Sequence, residues 1–503
     1  MADLIRAGSR HGKGPRAARA AVLVAVFTPL AACLSGPDYH TPTVAVPAAF
    51  SVAGPDGPVE GDWWRGFGDP LMDRFVAEAA AANLDVRQAA LRVKAARLQA
   101  RITAAAGRPV LSATTQASAT RLSENTAIAG LLSGAGSESG PIGVPGATFE
   151  TYQAGFDAAW ELDLFGGRRR SVEAADARTG AAVWSRLDAE RMLTAEVART
   201  YLGLRTLDRR LAIADAVRAV QAETLSVHQV RRRHGLTTTL DERRAEGDEA
   251  AAVAARQAFT AERDAQAQAL AVLLGRPPLG LAAELAGAAP PRTSPDDIPL
   301  GLPADLLRRR PDIRAAERDL AAASADIGVA TADLYPAFSL SGSIDLVSGA
   351  LKSLIDAHSL QPTIAASLTA ALLDGGRRRA TVDLRRTQAE QALVTYQAVV
   401  LAALADVENG LTRLGADQAR AVQFRAAEAA ARDALGTALA RRDAGLTTDL
   451  DVLTARRDLL EASDALAQAL GETDQDVVAL YKALGGGWAT APDDPPFAIA
   501  GAE

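Results

Sequence analysis

"HGLTTTLDERRAEGD" at 234–248 and "AGLTTDLDVLTARRD" at 444–458 carry one phrase, Gly-Leu-Thr-Thr, twice in a single chain, 210 residues apart. In each copy a glycine closes a long stretch of apolar residues spaced three or four apart. Glycine accepts the left-handed conformation that ends a helix. Thr238 with Asp241, and Thr448 with Asp451, then have the spacing of a capping box, Asp standing in for the usual Glu or Gln. Each phrase predicts a helix stop followed at once by a helix start, the tip of an antiparallel hairpin.

The same shift runs through the preceding helices. Val197, Tyr201 and Leu204 map onto Val407, Leu411 and Leu414, and "GGRRR" stands at both 166–170 and 375–379. The chain is therefore an internal duplication. Gly166 to His234 and Gly375 to Ala444 contain no proline, and each reaches about 100 Å at about 1.5 Å per residue. Return helices at about 236–274 and 446–484 come to about 60 Å each. Segments 84–106 and 304–334 add about 35 and 47 Å, which nearly restores the full length in both halves. Helices this long need partners along their length, so the matching predicts a helical cylinder packed like a coiled coil.

Period-two alternation marks four strands. Leu111, Ala113, Ala117 and Ala119 alternate with polar residues, as do Tyr152, Ala154, Phe156, Ala158, Trp160, Leu162 and Leu164. In the second half Phe338, Leu340, Ile344 and Leu346 do the same, followed by Ile364, Ala366, Leu368, Ala370 and Leu372. Ten or so residues suffice for a tilted strand to cross a bilayer. A Gly- and Ser-rich stretch at 123–147 reads as a long exposed loop. Four strands cannot close a barrel and lipid does not tolerate an open edge, so several chains must associate. Two copies give eight strands and three give twelve; arithmetic does not choose.

Residues 1–32 read as a leader: Arg6, Arg10, Lys13, Arg16 and Arg19, then a short apolar run from Ala20 to Leu30. "LAAC" at 30–33 has the form of a lipobox, making Cys33 the expected lipid-attachment site and mature N-terminus. Cys33 is the single cysteine, so it has no disulfide partner within the chain. Leu34 follows it, in place of the Asp that retains lipoproteins at an inner membrane, which directs the expectation to the outer membrane. Losing five basic residues and one acidic residue moves the formal charge from −7 to −11, which argues against a nucleic-acid partner. His11, His40, His228, His234 and His358 form no ligand motif, and no phosphate loop or nucleophile motif is present. The expectation is no enzyme, no metal and no cofactor.

Five stretches carry a family resemblance: "LAACLSGPDYHTP" at 30–42, "DWWRGFGDPLMDRFVAEAAAANLDVRQA" at 62–89, "WELDLFGGRRR" at 160–170, the run from Gly301 to Leu340, and "VVALYKALGGGW" at 477–488. The chain resembles the outer membrane factors of the TolC/OprM type, in their NodT-like lipoprotein branch. The resemblance implies a mainly α fold with membrane β: a homotrimeric α-helical barrel continuous with a twelve-stranded β-barrel, four strands from each chain. It implies an efflux channel serving a periplasmic adaptor and an inner-membrane transporter, RND type expected, with outer membrane lipid around the barrel. Export of a secreted metabolite or oligosaccharide signal is the alternative, and a periplasmic adaptor or coiled-coil scaffold a third reading.

The domain boundaries follow from the duplication. After the leader come a lipidated segment (33–69), a first repeat (70–274, β-hairpin about 108–164), an equatorial linker (275–303), a second repeat (304–484, β-hairpin about 336–374) and a tail (485–503). The resemblance places Gly235, Leu236, Thr237, Thr238, Gly445, Leu446, Thr447 and Thr448 at the end that meets the adaptor. Relatives constrict their mouth with acidic residues just after the second tip glycine. Asp451 occupies one such position, while Thr454 stands at another. Asp241, its counterpart, is expected to hold the closed state through a neighbouring helix, with Arg442 as candidate partner.

Overall fold

Asp163 and Asp374 decide where sheet gives way to helix. Each carboxylate receives main-chain N–H groups at the start of a long helix: Asp163 from Arg168 (3.1 Å) and Arg169 (2.9 Å), Asp374 from Gly376 (3.0 Å) and Arg378 (3.1 Å). The computed structural model describes residues 34–52, 61–121, 123, 148–285, 298–301 and 303–488. The expected leader, Cys33, nearly all of the 123–147 loop, much of the linker and most of the tail lie outside the described residues.

Helices α1 (Pro70–Ala82) and α2 (Leu84–Ala105) are followed by strands β1 (Val110–Arg121) and β2 (Thr148–Leu162). Next come α3 (Gly167–Arg233), α4 (Thr239–Leu273), the short α5 (Ala282–Leu285), α6 (Pro303–Arg309) and α7 (Pro311–Ala332). Strands β3 (Ala337–Ser348) and β4 (Leu360–Thr369) precede α8 (Arg377–Asp443) and α9 (Asp449–Ala483). Paired long helices of 67 and 35 residues recur in both halves, as the duplication requires. No helix of the described residues is long and apolar enough to cross a membrane.

Two units share the chain; one comprises 1–40, 96–179 and 319–392 and the other the remainder. The first holds an antiparallel sheet in the order β1-β2-β3-β4. Its register sets Leu111, Ala158, Gly342 and Ile364 in one row, and Trp160, Leu340 and Ala366 in another. Next to the first of these, on the opposite face, runs the row Ser112, Asp157, Ser343 and Thr363. The alternation read strand by strand thus becomes one apolar face and one polar face. Gly155 is required where it sits: a Cβ there would stand 2.1 Å from Asp345 Oδ1 and 2.6 Å from the Ile344 carbonyl. Residues 34–40 form an irregular strap, bent at Gly36 (φ 84°), that lies against the start of α3 and against Gly328 of α7. Buried Arg170 holds it, donating to the Ser35 carbonyl (3.1 Å) and Asp38 (2.6 Å) while pairing with Glu173 (2.8 Å).

The second unit is helical, with one core built from both repeats. Val197, Tyr201 and Leu204 are buried together with their counterparts Val407, Leu411 and Leu414. Around them lie Phe75 of α1, Trp63 stacked on Tyr481 (5.1 Å between centroids), and Leu480. Glycine and threonine bring the helices close, Gly471 lying directly against Thr206 and Gly410 against Leu480. Asp69 caps α1 through Leu71 N (2.9 Å) and Met72 N (3.4 Å) and also receives the Tyr201 hydroxyl at 2.6 Å.

The structure departs from the sequence reading in three places. The segment expected as one helix over 304–334 breaks at Arg310 into α6 and α7. Pro311 has no N–H to donate and its ring would clash with the preceding turn, so it starts a helix instead of continuing one. Arg310 turns inward at the break, pairing with Asp312 (2.6 Å) and Asp406 (3.1 Å) and donating to the Ala483 carbonyl (3.2 Å). Secondly, β2 and β4 end at Leu162 and Thr369, short of Leu164 and Leu372, because the capping aspartates take over the chain. Thirdly, α2 and α7 have 22 residues each, about 33 Å, so the length matching is looser than expected.

Candidate functional site

The two tips share one backbone. Gly235 and Gly445 both have φ of 72°, and nothing lies within 4 Å of a Cβ built on either, so backbone conformation and not crowding demands glycine there. Gly235 N donates to Arg232 O (2.9 Å) and Leu236 N to Arg231 O (2.8 Å); Gly445 and Leu446 repeat this on Arg442 and Arg441, both at 2.8 Å. This double bond is the Schellman motif, which satisfies the last carbonyls of α3 and α8.

A carboxylate then starts each return helix. Asp241 Oδ2 accepts from Thr237 Oγ1 (2.9 Å), Thr238 N (3.1 Å) and Thr238 Oγ1 (2.6 Å). Asp451 Oδ2 accepts from Thr447 Oγ1 (2.6 Å), Thr448 N (2.9 Å) and Thr448 Oγ1 (2.7 Å). These donors favour the ionised form, and both carboxyls are pulled down to about 2, led by the Thr238 side chain for Asp241 and the Thr447 side chain for Asp451. In each, Oδ2 alone accepts all three of these hydrogen bonds. Leu236 and Leu446 project outward, 66% and 68% exposed, while all four threonine hydroxyls are spent on the caps.

Arg442 is not brought to Asp241 within the chain. It pairs with its neighbour Asp443 at 2.7 Å, the shorter reach for a side chain at a helix end. Among the described residues, no group of three His, Cys, Asp or Glu side chains is placed to hold a metal ion. Sequence reasoning missed the buried arginines 170, 191 and 310, which bind main-chain carbonyls and carboxylates together. The repeated Arg triplets at 168–170 and 308–310 were the signal, since one arginine of each is buried and the others are not.

Long helical hairpins ending in tips, together with a four-stranded sheet that has one largely apolar face, are the parts of a channel subunit that crosses a membrane by strands. The sequence matches the outer membrane efflux protein family over residues 75–276 and 302–486, and the chain belongs to that family. It is 30% identical over 464 residues to nodulation protein T of Rhizobium leguminosarum bv. trifolii, covering 91% of this chain and 95% of that protein. It is 34% identical over 432 residues to the pyoverdine export outer membrane protein OpmQ of Pseudomonas putida, covering 85% and 88%. The solved outer-membrane channel OprN superposes with a TM-score of 0.80 at 34% identity, over 91% of this chain and 100% of that one. The fold is that of the trimeric efflux channels, a helical barrel with a β domain, and the chain is the outer membrane channel component of an efflux system.

Proposed function

We propose that three copies form the conduit, with the apolar sheet face in outer membrane lipid, the helical tunnel in the periplasm and Cys33 lipidated beside the barrel. The observation that carries this is the open sheet: its apolar face is exposed, with Ile364 86% and Leu111 70% accessible, and β1 and β4 each have one neighbour. An edge of that kind must be paired in a membrane. Exposed Leu84, Leu91 and Leu98, seven residues apart on α2, and Leu384, Val394 and Leu401 on α8 give the helices unpartnered apolar seams of coiled-coil spacing. The tips, Gly235 to Thr238 and Gly445 to Thr448, meet a periplasmic adaptor, which joins the channel to an inner-membrane transporter of RND type. Asp451 supplies a ring of three carboxylates at the mouth, and Asp241 with Arg442 of a neighbouring chain holds the closed state. The chain carries conduction and no catalysis. Drugs and other small toxic compounds are its cargo; the pyoverdine-export name of one relative favours a secreted metabolite as the second reading.

Cysteines placed on the outer strands test the assembly. Ser112, Thr114 or Gln116 of β1, each paired with Thr363, Ala365 or Ser367 of β4, should give on oxidation a disulfide-linked ladder that stops at three chains. A ladder stopping at two, or no linkage in any combination, would overturn the trimer.

A further inference from the structure

The two tips have the same backbone and opposite electrostatic character. Over the equivalent windows 231–244 and 441–454, the first holds five arginines against Asp241 and Glu242, the second two arginines against Asp443, Asp449 and Asp451. His234 and Thr239 of the first correspond to Ala444 and Asp449 of the second. Within the first tip Arg232 pairs with Glu242, and Arg243 with Glu246 at 2.6 Å. Arg231, Arg233 and Arg244 make no ion pair among the described residues, and Arg233 and Arg244 are exposed. The second tip neutralises itself locally, Arg442 on Asp443.

The apolar residues differ in the same direction. Leu236 and Leu240 are exposed at the first tip, 66% and 57%. At the second, Leu446 is exposed but Val452 and Leu453, which replace Glu242 and Arg243, are buried. One tip thus presents exposed leucines beside arginines that make no ion pair among the described residues, and arginine is enriched both at protein interfaces and among the residues that carry their binding energy. Neither the turn nor the cap needs Arg233 or Arg244, because the second tip makes both with Asp443 and Thr454 in their places; Arg231 alone has an arginine counterpart, Arg441.

We infer that the first tip is the cationic docking element of the channel and fits an acidic, leucine-accepting surface of the periplasmic adaptor, whereas the second tip is held by other contacts. This inference rests on the adaptor reading proposed above. The partner surface is a protein hairpin end with carboxylates flanking an apolar notch, which pairs with Arg231, Arg233 and Arg244 while receiving Leu236.

The test uses the purified full-length channel and the adaptor with which it supports efflux in cells, measuring affinity by interferometry. Arg231→Glu with Arg233→Glu and Arg244→Glu should weaken binding by about tenfold or more, because like charges then face each other. Arg441→Glu with Arg442→Glu should change it by less than about threefold, since that tip carries its own acids. Lysine at the three first-tip positions should keep most of the affinity. Raising salt from about 50 mM to about 500 mM should weaken the wild type and partly restore binding of the triple glutamate variant, as attraction in the one and repulsion in the other are screened. Equal losses at the two tips, or a loss at the first tip insensitive to salt, would overturn the inference while leaving adaptor docking intact. Capture of the wild type through the same arginines by vesicles containing phosphatidylglycerol, with adaptor affinity untouched, would overturn it as well. A wild type that binds no adaptor at all would remove both the inference and the reading beneath it.

Discussion

Replacing Asp69 with Ala should loosen α1 more than its single side chain suggests. The carboxylate caps α1 on two N–H groups and holds the hydroxyl of Tyr201, a residue with no exposed surface. Losing the cap costs about 1 kcal/mol. Stranding a buried hydroxyl costs about 1–3 kcal/mol more. Burial, reinforced by the Asp69 carboxylate, pushes the Tyr201 hydroxyl far above its ordinary value, so it remains a donor at every physiological pH. Tyr201→Phe deletes the donor but leaves Asp69 its two N–H partners, and about 1.5 kcal/mol is the expected cost. The two changes are coupled. In Asp69→Ala/Tyr201→Phe no hydroxyl is orphaned, so the double variant should cost less than the sum of the singles by about 1–3 kcal/mol. Native-state hydrogen exchange of the α1 amides reads these values locally, which suits a large assembly better than a global melt. Additive singles, or a Tyr201→Phe cost equal to that of Asp69→Ala, would refute the reasoning.

Further expectations concern tips, sheet and anchor. Leu236→Asp with Leu446→Asp should abolish adaptor cross-linking and efflux while trimers persist, because both leucines are exposed and hold no core; unchanged cross-links would refute the docking role. Asp451→Ala should raise the conductance of trimers in planar bilayers or weaken divalent-cation block, and wild-type values for both would leave Asp451 as a cap alone. A depressed carboxyl stabilises the folded state above its unfolded value near 3.8 and loses that contribution as pH falls through about 2. Exchange protection at both tips should therefore be unchanged between about pH 7 and pH 5 and decay progressively from about pH 4 down to about pH 2. Gly155→Ala must displace Asp345 or the β3 backbone, costing about 1–3 kcal/mol, and should lower the heat at which the trimer dissociates in gels. Metabolic labelling with a radioactive fatty acid should mark the wild type and not Cys33→Ser.

The duplicated phrase made the hairpins legible because glycine closure and threonine-aspartate capping are local chemistry, complete within about ten residues. The sheet's two faces were legible for a similar reason: period two survives into any register that pairs like rows. Pairing of β2 with β3 was not, because it joins residues nearly 200 positions apart and nothing local records it. The break at Arg310 was written in Pro311, which can open a helix but cannot continue one. Arg442 illustrates the limit at the site itself. It is a candidate partner for Asp241, but within the chain it pairs with the adjacent Asp443. The unequal charge of the tips was visible in the triplet 231–233, and acquired meaning once Arg232 was seen paired while Arg231 and Arg233 were not.

Single-channel recording of the purified, full-length protein in planar bilayers tests the central claim most directly. Protein extracted from outer membranes and still trimeric should insert and give uniform, cation-preferring steps, enlarged in Asp451→Ala. Protein with intact helical content and intact trimers that produced no steps, in either the wild type or the variant, would contradict the account.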